Sequence, residues 1–329
     1  MTTHPLLLDW YRDHGRHHLP WRTTQDPYAI YISEIMLQQT QVKTVLERFY
    51  FPFLERFPTC SDLAEADIDD VLKMWEGLGY YTRARNLHAA ARQCGGILPN
   101  NARELMELPG IGRSTAHAVA AFAYGEPLPI LDANVKRILH RYYAQQDRNE
   151  KILWELSYRF FDPAHPFEHN QAMMDLGAMV CLPRRPLCPE CPLQDSCSGR
   201  HAPENYPPPK SRSAKPVRKK SIIIHHQDER YALTRRTGRF LSGLWGFDET
   251  EEPVSGGKIH LGSVIQHYSH FTLDAEVYLS EGEPGSEGFE WFATDEIENL
   301  SLSRADQKAL DLIRYNVKKL TKGADAEKD

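Results

Sequence analysis

Four cysteines lie within 17 residues of one another near the middle of the 329-residue chain, and they limit what this region can become. The four are Cys181, Cys188, Cys191 and Cys197. The two other cysteines, Cys60 and Cys94, stand alone. Because the sequence shows no export signal, thiols set so closely favour a metal site over disulfides. One C-x2-C pair flanked by longer gaps modestly favours an iron–sulfur cluster, with zinc and a disulfide pair as the alternatives.

The composition and the hydrophobic pattern of the sequence change at residues 203–220. Before this stretch, apolar residues recur with a helical period and short joints carry Gly or Pro, which predicts an all-α domain over 1–202. The stretch itself, PENYPPPKSRSAKPVRKK, has the composition of an extended linker. Beyond it, SIIIHHQDERYALTRR has a strand–turn–strand pattern and FTLDAEVYLSEG alternates. We therefore expect a multidomain chain with a small α+β domain over 221–320 and a frayed, disordered tail over 321–329.

The net charge of the chain, −6, does not decide whether it binds nucleic acid. Residues 221–329 carry 12 Lys and Arg against 20 Asp and Glu, a net charge of −8, which leaves +2 for residues 1–220. A local basic face is compatible with these numbers, so charge neither supports nor excludes DNA. No apolar run approaches the roughly 18 residues of a membrane span. The N-terminal stretch lacks a basic start and a cleavage site, so we expect a helix there and not a signal peptide.

A helix–hairpin–helix pattern is present in LPGIGRSTAHAV, residues 108–119. Gly110 and Gly112, two positions apart, permit a tight hairpin whose backbone approaches a ligand closely. Ile111 between them is suited to plug into the core. The free N–H groups at the start of the next helix make an anion site that suits a DNA phosphate. The alternative interpretation is an ordinary helix–helix turn.

Two acids stand beside apolar segments. Glu34 interrupts the apolar pattern of SEIMLQQT, residues 33–40, on a helix that Asp26 and Pro27 are placed to start. By pattern alone, Glu34 is a solvent-facing residue of an amphipathic helix. Asp132 follows an apolar triplet in PILDANVKRILHR and directly precedes a helix, so the simplest interpretation is a helix N-cap.

Hairpin, downstream Asp and four-cysteine loop, in that order, resemble the plan of the helix–hairpin–helix DNA glycosylases that hold a 4Fe–4S cluster. Over about residues 5–200 the chain resembles the MutY-type adenine DNA glycosylases. The motifs that carry this resemblance are LPWR (19–22), SEIMLQQTQV (33–42), GLGYYTRARNL (77–87), LDANVKR (131–137) and NQAMMDLGAMVC (170–181). More weakly, SGLWGF (242–247) and HYSHFTLD (267–274) resemble the Nudix-fold, MutT-like domain of the same enzymes.

The resemblance implies a monofunctional glycosylase of base-excision repair that removes adenine mispaired with 8-oxoguanine or G from DNA. In the family, the acid at the position of Glu34 protonates adenine at N7, and burial keeps such an acid protonated near neutral pH. The carboxylate at the position of Asp132 stabilises the sugar cation, assisted by Asn134, although Ala133 stands where the family commonly has Gly. Ser114 occupies the place of the Schiff-base lysine of bifunctional relatives, so we expect at most incidental lyase activity.

The resemblance also implies a set of DNA and base contacts. Gln39 and Tyr81 match wedge residues that fill the stack once the base is flipped out. Gln171 stands where some members have a Glu at the adenine edge, and residues 268–270 match the F-S-H loop that recognises 8-oxoguanine, with Tyr for Phe. The full set is Leu19, Trp21, Arg22, Gln38, Gln39, Tyr81, Gly110, Gly112, Ser114, Gln171, Tyr268, Ser269 and His270. No Nudix box occurs in 221–329, which argues against Nudix hydrolase activity.

We therefore expect a 4Fe–4S cluster on the four cysteines, duplex DNA as the partner, a monomer without membrane contact, and the bacterial cytoplasm as its place. Two other functions stay open. One is a glycosylase of the same fold acting on a different mispaired base such as thymine, against which the SHF and LQQTQ motifs argue. The other is a non-catalytic DNA-lesion sensor, against which the retention of both Glu34 and Asp132 argues.

Overall fold

A computed structural model describes residues 4–208, 214–238, 240–254 and 256–326. The region before residue 200 is helical, as the sequence predicts. Its helices are α1 (His4–His14), α2 (Pro20–Thr23), α3 (Pro27–Leu37), α4 (Val42–Arg48), α5 (Tyr50–Arg56), α6 (Cys60–Glu65), α7 (Ile68–Met74), α8 (Thr82–Gln93), α9 (Ala102–Leu105), α10 (Arg113–Tyr124), α11 (Ala133–Tyr142), α12 (Glu150–Phe160) and α13 (Pro166–Met179). Three short 3-10 turns follow, at Cys188–Glu190, Gln194–Ser196 and Pro203–Asn205.

Side-chain caps fix where several of these helices begin. Asp26 accepts a hydrogen bond from the Tyr28 backbone N–H, and Pro27 takes the first position of α3, as expected. Asp67 caps α7 in the same way, and Thr59 forms a reciprocal capping box with Asp62 at α6. The prediction that Asp26 and Pro27 start α3 is confirmed.

The helices form their core from apolar faces. Helix α3 is buried on most of its surface and packs against α10, where Ile30 meets Ala118 and Phe122. A second cluster joins α1, α11, α12 and α13 through residues such as Leu139 and Leu176. Because α3 is surrounded by protein, a polar side chain on it is desolvated.

The C-terminal region is a seven-stranded sheet with two helices. Its elements are β1 (Val217–Gln227), β2 (Arg230–Arg235), β3 (Trp245–Gly246), β4 (Asp248–Thr250), β5 (Ile259–His267), β6 (Thr272–Glu281), β7 (Phe289–Ala293), α14 (Thr294–Glu298) and α15 (Arg304–Ala326). The strand order is β3-β2-β1-β6-β5, with β4 paired to β1 and β7 to β2. Strands β1 and β6 are parallel in a register that places Ile222 opposite Val277. Helix α15 packs against β5 and closes one apolar core with the sheet, so the predicted α+β domain is confirmed.

Two predicted boundaries differ from the structure. Strand β1 begins at Val217, inside the stretch predicted to be a linker, because residues 217–220 pair with β6. Residues 209–213 of that stretch lie outside the described residues. Helix α15 continues to Ala326, into the segment predicted to be a frayed tail, of which residues 327–329 lie outside the described residues.

The described chain divides into two compact units. One contains the residues up to Ala66 and those from Asn86 to the linker. The other contains Asp67–Arg85 together with the residues after the linker, so helix α7 and the loop that follows it belong to the same unit as the C-terminal sheet. In the described part of the chain, no helix is long and apolar enough to cross a membrane.

Candidate active site

The carboxyl group of Glu34, on helix α3, is enclosed by protein although part of the side chain reaches the surface. Burial and, to a smaller extent, the Asp132 carboxylate together raise its pKa to about 7, against the opposing positive charge of Arg22. The two acids therefore lie close enough to influence each other's charge. A carboxyl group with this pKa holds a proton in a large fraction of molecules at neutral pH.

Asp132 is the N-cap of helix α11, as the sequence predicts. Its Oδ1 accepts a hydrogen bond from the Val135 backbone N–H at 2.7 Å, and its Oδ2 accepts one from Asn134 Nδ2 at 3.1 Å. Burial raises the pKa of Asp132, whereas the hydrogen bonds from Val135 and Asn134 and the charge of Arg137 act against the rise. For Glu34 the opposing influence is the charge of Arg22, and with a pKa of about 7 this acid can carry a proton at neutral pH.

Arg137 connects Asp132 to the cysteine loop. Its Nη2 donates to Asn134 Oδ1 at 2.9 Å, which turns the amide so that the nitrogen faces Asp132. Its Nε donates to the Cys181 carbonyl at 2.7 Å, and Nη2 also reaches the Gly177 carbonyl at 2.6 Å. A Cβ at position 177 would stand 2.4 Å from Asn134 Cβ, so Gly177 permits this close approach of α13 to α11.

Asp175 on helix α13 is a charged residue that the sequence analysis did not single out. It is fully buried and accepts two hydrogen bonds from Arg22, at 2.6 and 2.7 Å. Arg16 adds bonds from its backbone N–H and its Nε, both at 2.8 Å. Burial acts to raise the pKa of Asp175, but the hydrogen bonds and charges of Arg22 and Arg16 hold it below its usual value. One acid in the otherwise apolar NQAMMDLGAM was the signal in the sequence.

Three of the residues that the resemblance implies as DNA and base contacts, Leu19, Trp21 and Gln171, are buried. Leu19 and Trp21 are 2% and 5% exposed, and the Trp21 ring packs edge-on against Tyr50 at 5.2 Å. Gln171 is also buried, and among the described residues its Oε1 has no hydrogen-bond partner. A buried acceptor without a partner is costly, so this atom is suited to receive an N–H group from a ligand.

The hairpin at residues 108–112 connects α9 to α10, and Ile111 is buried as predicted. Gly110 has φ +77°, and a Cβ there would meet Asn86 at 2.6 Å, so glycine is required. Gly112 differs: it precedes α10 with an ordinary φ of −83°, and a Cβ there would meet open space. The surface beside Gly112 is therefore free for a ligand to approach. Ser114 Oγ accepts a hydrogen bond from the Leu131 N–H at 3.2 Å, next to Asp132.

The predicted wedge residues have contrasting placements. Gln39 is exposed with φ +58°, and Gln38 before it donates to Thr115 Oγ1 at 3.3 Å. Tyr81 is only 9% exposed, and its hydroxyl donates to the Leu302 carbonyl at 3.3 Å. Its neighbour Tyr80 is 44% exposed with φ +53°. In this arrangement the aromatic ring that faces solvent in this loop is the one that the sequence analysis did not choose.

The loop at residues 268–270 presents its polar groups to solvent. Ser269 and His270 are exposed and hydrogen-bonded to each other at 2.7 Å, whereas Tyr268 is half-buried. Phe240 lies edge-on to Tyr268, with ring centroids 4.9 Å apart, and also contacts His270 at 5.8 Å. Phe240 lies outside the recognised motifs, so sequence reasoning missed it. We call residues 268–270 the reader loop below.

The four clustered cysteines line one cavity, together with Arg141, Val180, Pro186, Gln194, Arg200 and Pro203. Arg141 is buried and its Nη1 donates to Cys181 Sγ at 3.3 Å. Burial and the charges of the three other thiols raise the pKa of Cys191 to about 12, against the hydrogen bond with the Leu193 backbone. Among the described residues, no three His, Cys, Asp or Glu side chains are grouped closely enough to hold a single metal ion. Cys60 and Cys94, with sulfurs 4.0 Å apart, stand outside the cavity.

The fold and this site have counterparts among known proteins. The family model of the HhH-GPD superfamily of base excision DNA repair proteins matches residues 32–159. The solved structure of a thermostable thymine-DNA glycosylase gives a TM-score of 0.55 at 31% identity, covering 60% of this chain and 94% of that chain. Endonuclease III in a complex with DNA gives 0.52 at 21% identity, covering 61% and 97%, which supports the fold alone. Fold and site define a helix–hairpin–helix DNA glycosylase of base-excision repair.

Relatives of known function narrow this class. The adenine DNA glycosylase of Buchnera aphidicola subsp. Acyrthosiphon pisum is 33% identical over 95% of this chain and 97% of its own length. The human adenine DNA glycosylase is 32% identical over 92% of this chain and 72% of its own length. A match with that of Buchnera aphidicola subsp. Baizongia pistaciae, 44% identical, spans 60% of this chain and 59% of the relative. Because the first two alignments extend through the C-terminal region, the chain belongs to the adenine DNA glycosylase family.

Proposed function

We propose that the chain is a monofunctional glycosylase that hydrolyses the bond between deoxyribose and an adenine mispaired with 8-oxoguanine or G in duplex DNA, leaving an abasic site. The observation that carries the proposal is a pair of neighbouring buried acids with different hydrogen-bond surroundings. Burial holds the pKa of Glu34 near 7, whereas Asp132 receives hydrogen bonds from a helix start and an amide. Two carboxyl groups kept in different protonation states divide acid and charge-stabilising work between them.

The pair suits the two requirements of breaking an N-glycosidic bond. The leaving adenine must become neutral, and protonated Glu34 donates a proton to its N7. The sugar becomes an oxocarbenium-like cation, and the Asp132 carboxylate stabilises that charge until water adds. Asn134 and Arg137 keep the Asp132 carboxylate oriented toward this task.

The buried wall gives the pocket its shape. Leu19 and Trp21, both covered by protein in this structure, are the apolar side chains that we assign to contact with a flipped base. The unpaired Oε1 of Gln171 is suited to accept a hydrogen bond from the exocyclic amino group of adenine. The two terminal nitrogens of Arg22 are occupied by Asp175, so Arg22 supports the wall from behind and tunes Glu34 by its charge.

Ser114 supports the monofunctional assignment. Its hydroxyl is used as an acceptor for the Leu131 N–H and carries no amine. Without a lysine at this place, no Schiff base forms between the enzyme and the sugar, and strand cleavage does not follow base release.

Three further contacts complete the proposed DNA interface. We assign the aromatic wedge to Tyr80, with Gln39, because both side chains are exposed while Tyr81 is held by Leu302. The reader loop, with Phe240 beside it, presents aromatic edges and hydrogen-bonding groups to an 8-oxoguanine base. The hairpin at Gly112 is suited to a backbone phosphate.

The decisive experiment is single-turnover base release from duplexes that carry adenine opposite 8-oxoguanine, G or C. We expect release from the first two and little from the third, with an abasic product that breaks only after alkali treatment. No covalent complex should be trapped by borohydride. Activity on a thymine mismatch with all three adenine duplexes intact would instead favour the thymine-directed relative. Tight binding to the 8-oxoguanine duplex without any base release would favour the lesion sensor.

We also propose that the four-cysteine cavity holds a 4Fe–4S cluster. A single zinc ion would draw four thiolates to within about 4 Å of one another, whereas a four-iron cluster binds each thiolate through a different iron. Four thiols that line one cavity supply all the protein ligands that such a cluster needs, and one C-x2-C pair flanked by longer gaps favours it over zinc. Arg141, which bonds to Cys181 Sγ, would neutralise part of the negative charge of the loaded site.

The cluster is tested by metal analysis of the full chain purified without oxygen. A brown protein with about four iron and four sulfide per chain is expected. A Cys191→Ser variant should lose most of that iron, whereas Cys94→Ser, outside the cavity, should keep it. A colourless wild-type protein that contains one zinc per chain would contradict the proposal.

A further inference from the structure

The segment Asp67–Arg85 is bound by a short stretch of the C-terminal region, residues 300–303, which links α14 to α15 and is called the strap below. Both backbone polar groups of Leu302 are engaged. Its N–H donates to Glu76 Oε1 at 3.2 Å, and its carbonyl accepts the Tyr81 hydroxyl at 3.3 Å. Leu302 itself is 3% exposed, so these bonds lie away from solvent. More than 200 residues of sequence separate the two partners.

Leu300 and Ser301, the neighbouring residues of the strap, also form hydrogen bonds with helix α7. Lys73 Nζ donates to the Leu300 carbonyl at 3.1 Å, and Ser301 Oγ donates to the Asp69 carbonyl at 3.3 Å. Arg235, on β2 of the same unit, pairs with Asp69 through both terminal nitrogens. Helix α7 is therefore bonded to the strap at Asp69 and Lys73 and to strand β2 through Arg235.

One end of this connection is Tyr80, the exposed ring of the loop. Tyr80 directly precedes the anchored Tyr81. The Arg83 guanidinium lies over the Tyr80 ring at 5.4 Å and over Trp75 at 5.5 Å, and it donates to the Gly79 carbonyl at 3.1 Å. Because Tyr81 is hydrogen-bonded to Leu302 of the strap, the position of the adjacent Tyr80 depends on where the strap holds Tyr81.

The other end is the reader loop. Ser303, the last residue of the strap, donates to Asp306 Oδ2 at 2.5 Å and hydrogen-bonds with Tyr268, the first residue of the reader loop. Asp306 is fully buried and is bound by Arg236 and by the Phe247 N–H. An unbroken series of contacts thus runs from the reader loop through Ser303 and Leu302 to Tyr81.

We propose that the strap couples lesion reading to wedge insertion: a base bound at the reader loop fixes the strap, and the strap sets Tyr80 for entering the stack. Tyr81 and Glu76 are then positioning residues for adenine release, although neither touches the DNA. The inference rests on the proposed function. It differs from simple packing between the two segments, because packing alone predicts no dependence on which base lies opposite the adenine.

The test compares single-turnover adenine release by the full-length wild type and Tyr81→Phe, which removes only the hydroxyl that holds Leu302. On A opposite 8-oxoguanine we expect a loss of about tenfold, the effect of one hydrogen bond expressed at the transition state. On A opposite G, where no 8-oxoguanine is read, the rate should stay within about twofold. Glu76→Leu, which removes the acceptor for the Leu302 N–H, should behave similarly. Tyr231→Phe, which removes another half-buried hydroxyl in the same unit, is the control and should change neither rate.

A double-mutant cycle identifies the path. In a His270→Ala background, which impairs the reader loop, Tyr81→Phe should cost less than about twofold, because coupled residues act non-additively. An equal loss on both duplexes, or a full tenfold loss in the His270→Ala background, would overturn the inference and leave packing as the role of the strap. Unchanged discrimination by Tyr81→Phe would also overturn it while the proposed function stands. A wild type that releases no adenine would overturn the proposed function itself.

Discussion

Replacing Glu34 with glutamine is expected to slow adenine release by about 10³-fold, within the range attributed to a general acid. Glutamine keeps the size and the polar character of the side chain but has no acidic proton to give to the leaving base. Burial in α3 prepares Glu34 for this role by raising its pKa to about 7. The measurement is the single-turnover rate on A opposite 8-oxoguanine, where the wild type has its highest expected rate.

The pH profile tests the same assignment independently. Glu34 acts as an acid only while protonated, so the wild-type rate should fall as pH rises through about 7. The glutamine variant has no such group, so its residual rate should not fall across this range. A raised pKa also means that the folded protein loses stability as pH rises from the unfolded value towards 7, because the ionised carboxylate is buried.

The effect of Glu34 ionisation on stability also separates a loss of chemistry from a loss of folding in this variant. Glutamine does not ionise, so above pH 7 the Glu34→Gln variant should melt no lower than the wild type. A stable variant with almost no activity would identify a residue whose charge is kept for chemistry. A Glu34→Gln variant that retains more than about a tenth of the wild-type rate would show that another group supplies the proton, contrary to the range expected for a general acid.

The acids of the site could be predicted because their positions depend on local sequence. Asp26 and Pro27 fix where α3 begins, and Asp132 caps α11 whatever its further role. Motif resemblance then assigned chemistry to Glu34, which the hydrophobic pattern alone had placed toward solvent. What pattern could not supply is the burial of the carboxyl group, which depends on elements such as α10 that pack against α3.

Tyr80 and Tyr81 show where the prediction reached its limit. The two residues are adjacent and chemically identical, so the sequence alone does not say which ring faces inward. The choice depends on a left-handed backbone at Tyr80 and on a hydrogen bond from Tyr81 to a residue 221 positions away. The start of β1 at Val217 was missed for the same reason, because its parallel partner Thr272 lies far along the chain.

Asp175 was missed in the sequence, yet its replacement should have the largest effect on stability. In an Asp175→Asn variant the positive charge of Arg22, whose side chain is 4% exposed, loses its buried counter-ion. Arg16 loses the same partner. Breaking a buried pair by removing one partner costs about 3–5 kcal/mol, because an uncompensated charge stays inside the protein. Urea unfolding of the wild type and the variant measures this difference.

The matched control is Asp9→Asn, which removes the acid from an Asp–Arg pair at the surface. Asp9 and Arg12 are 62% and 64% exposed, so water replaces the lost interaction and the cost should stay below about 1 kcal/mol. The two variants make the same chemical change, so any difference between them measures burial. If Asp175→Asn were as mild as Asp9→Asn, the Arg22 charge would have to be solvated in the folded protein.

The pH dependence of adenine release should also change when Asp175 no longer neutralises the charge of Arg22. With Asp175 neutral, the positive charge of Arg22 acts on Glu34 without its counter-ion and favours the ionised form of that acid. The high-pH limb of the Asp175→Asn profile should therefore move to lower pH, so that at neutral pH less Glu34 carries the proton that adenine requires. A purely structural role of Asp175 predicts a lower rate with an unmoved limb. A shifted limb would show that Asp175 influences the protonation of Glu34 through the charge of Arg22.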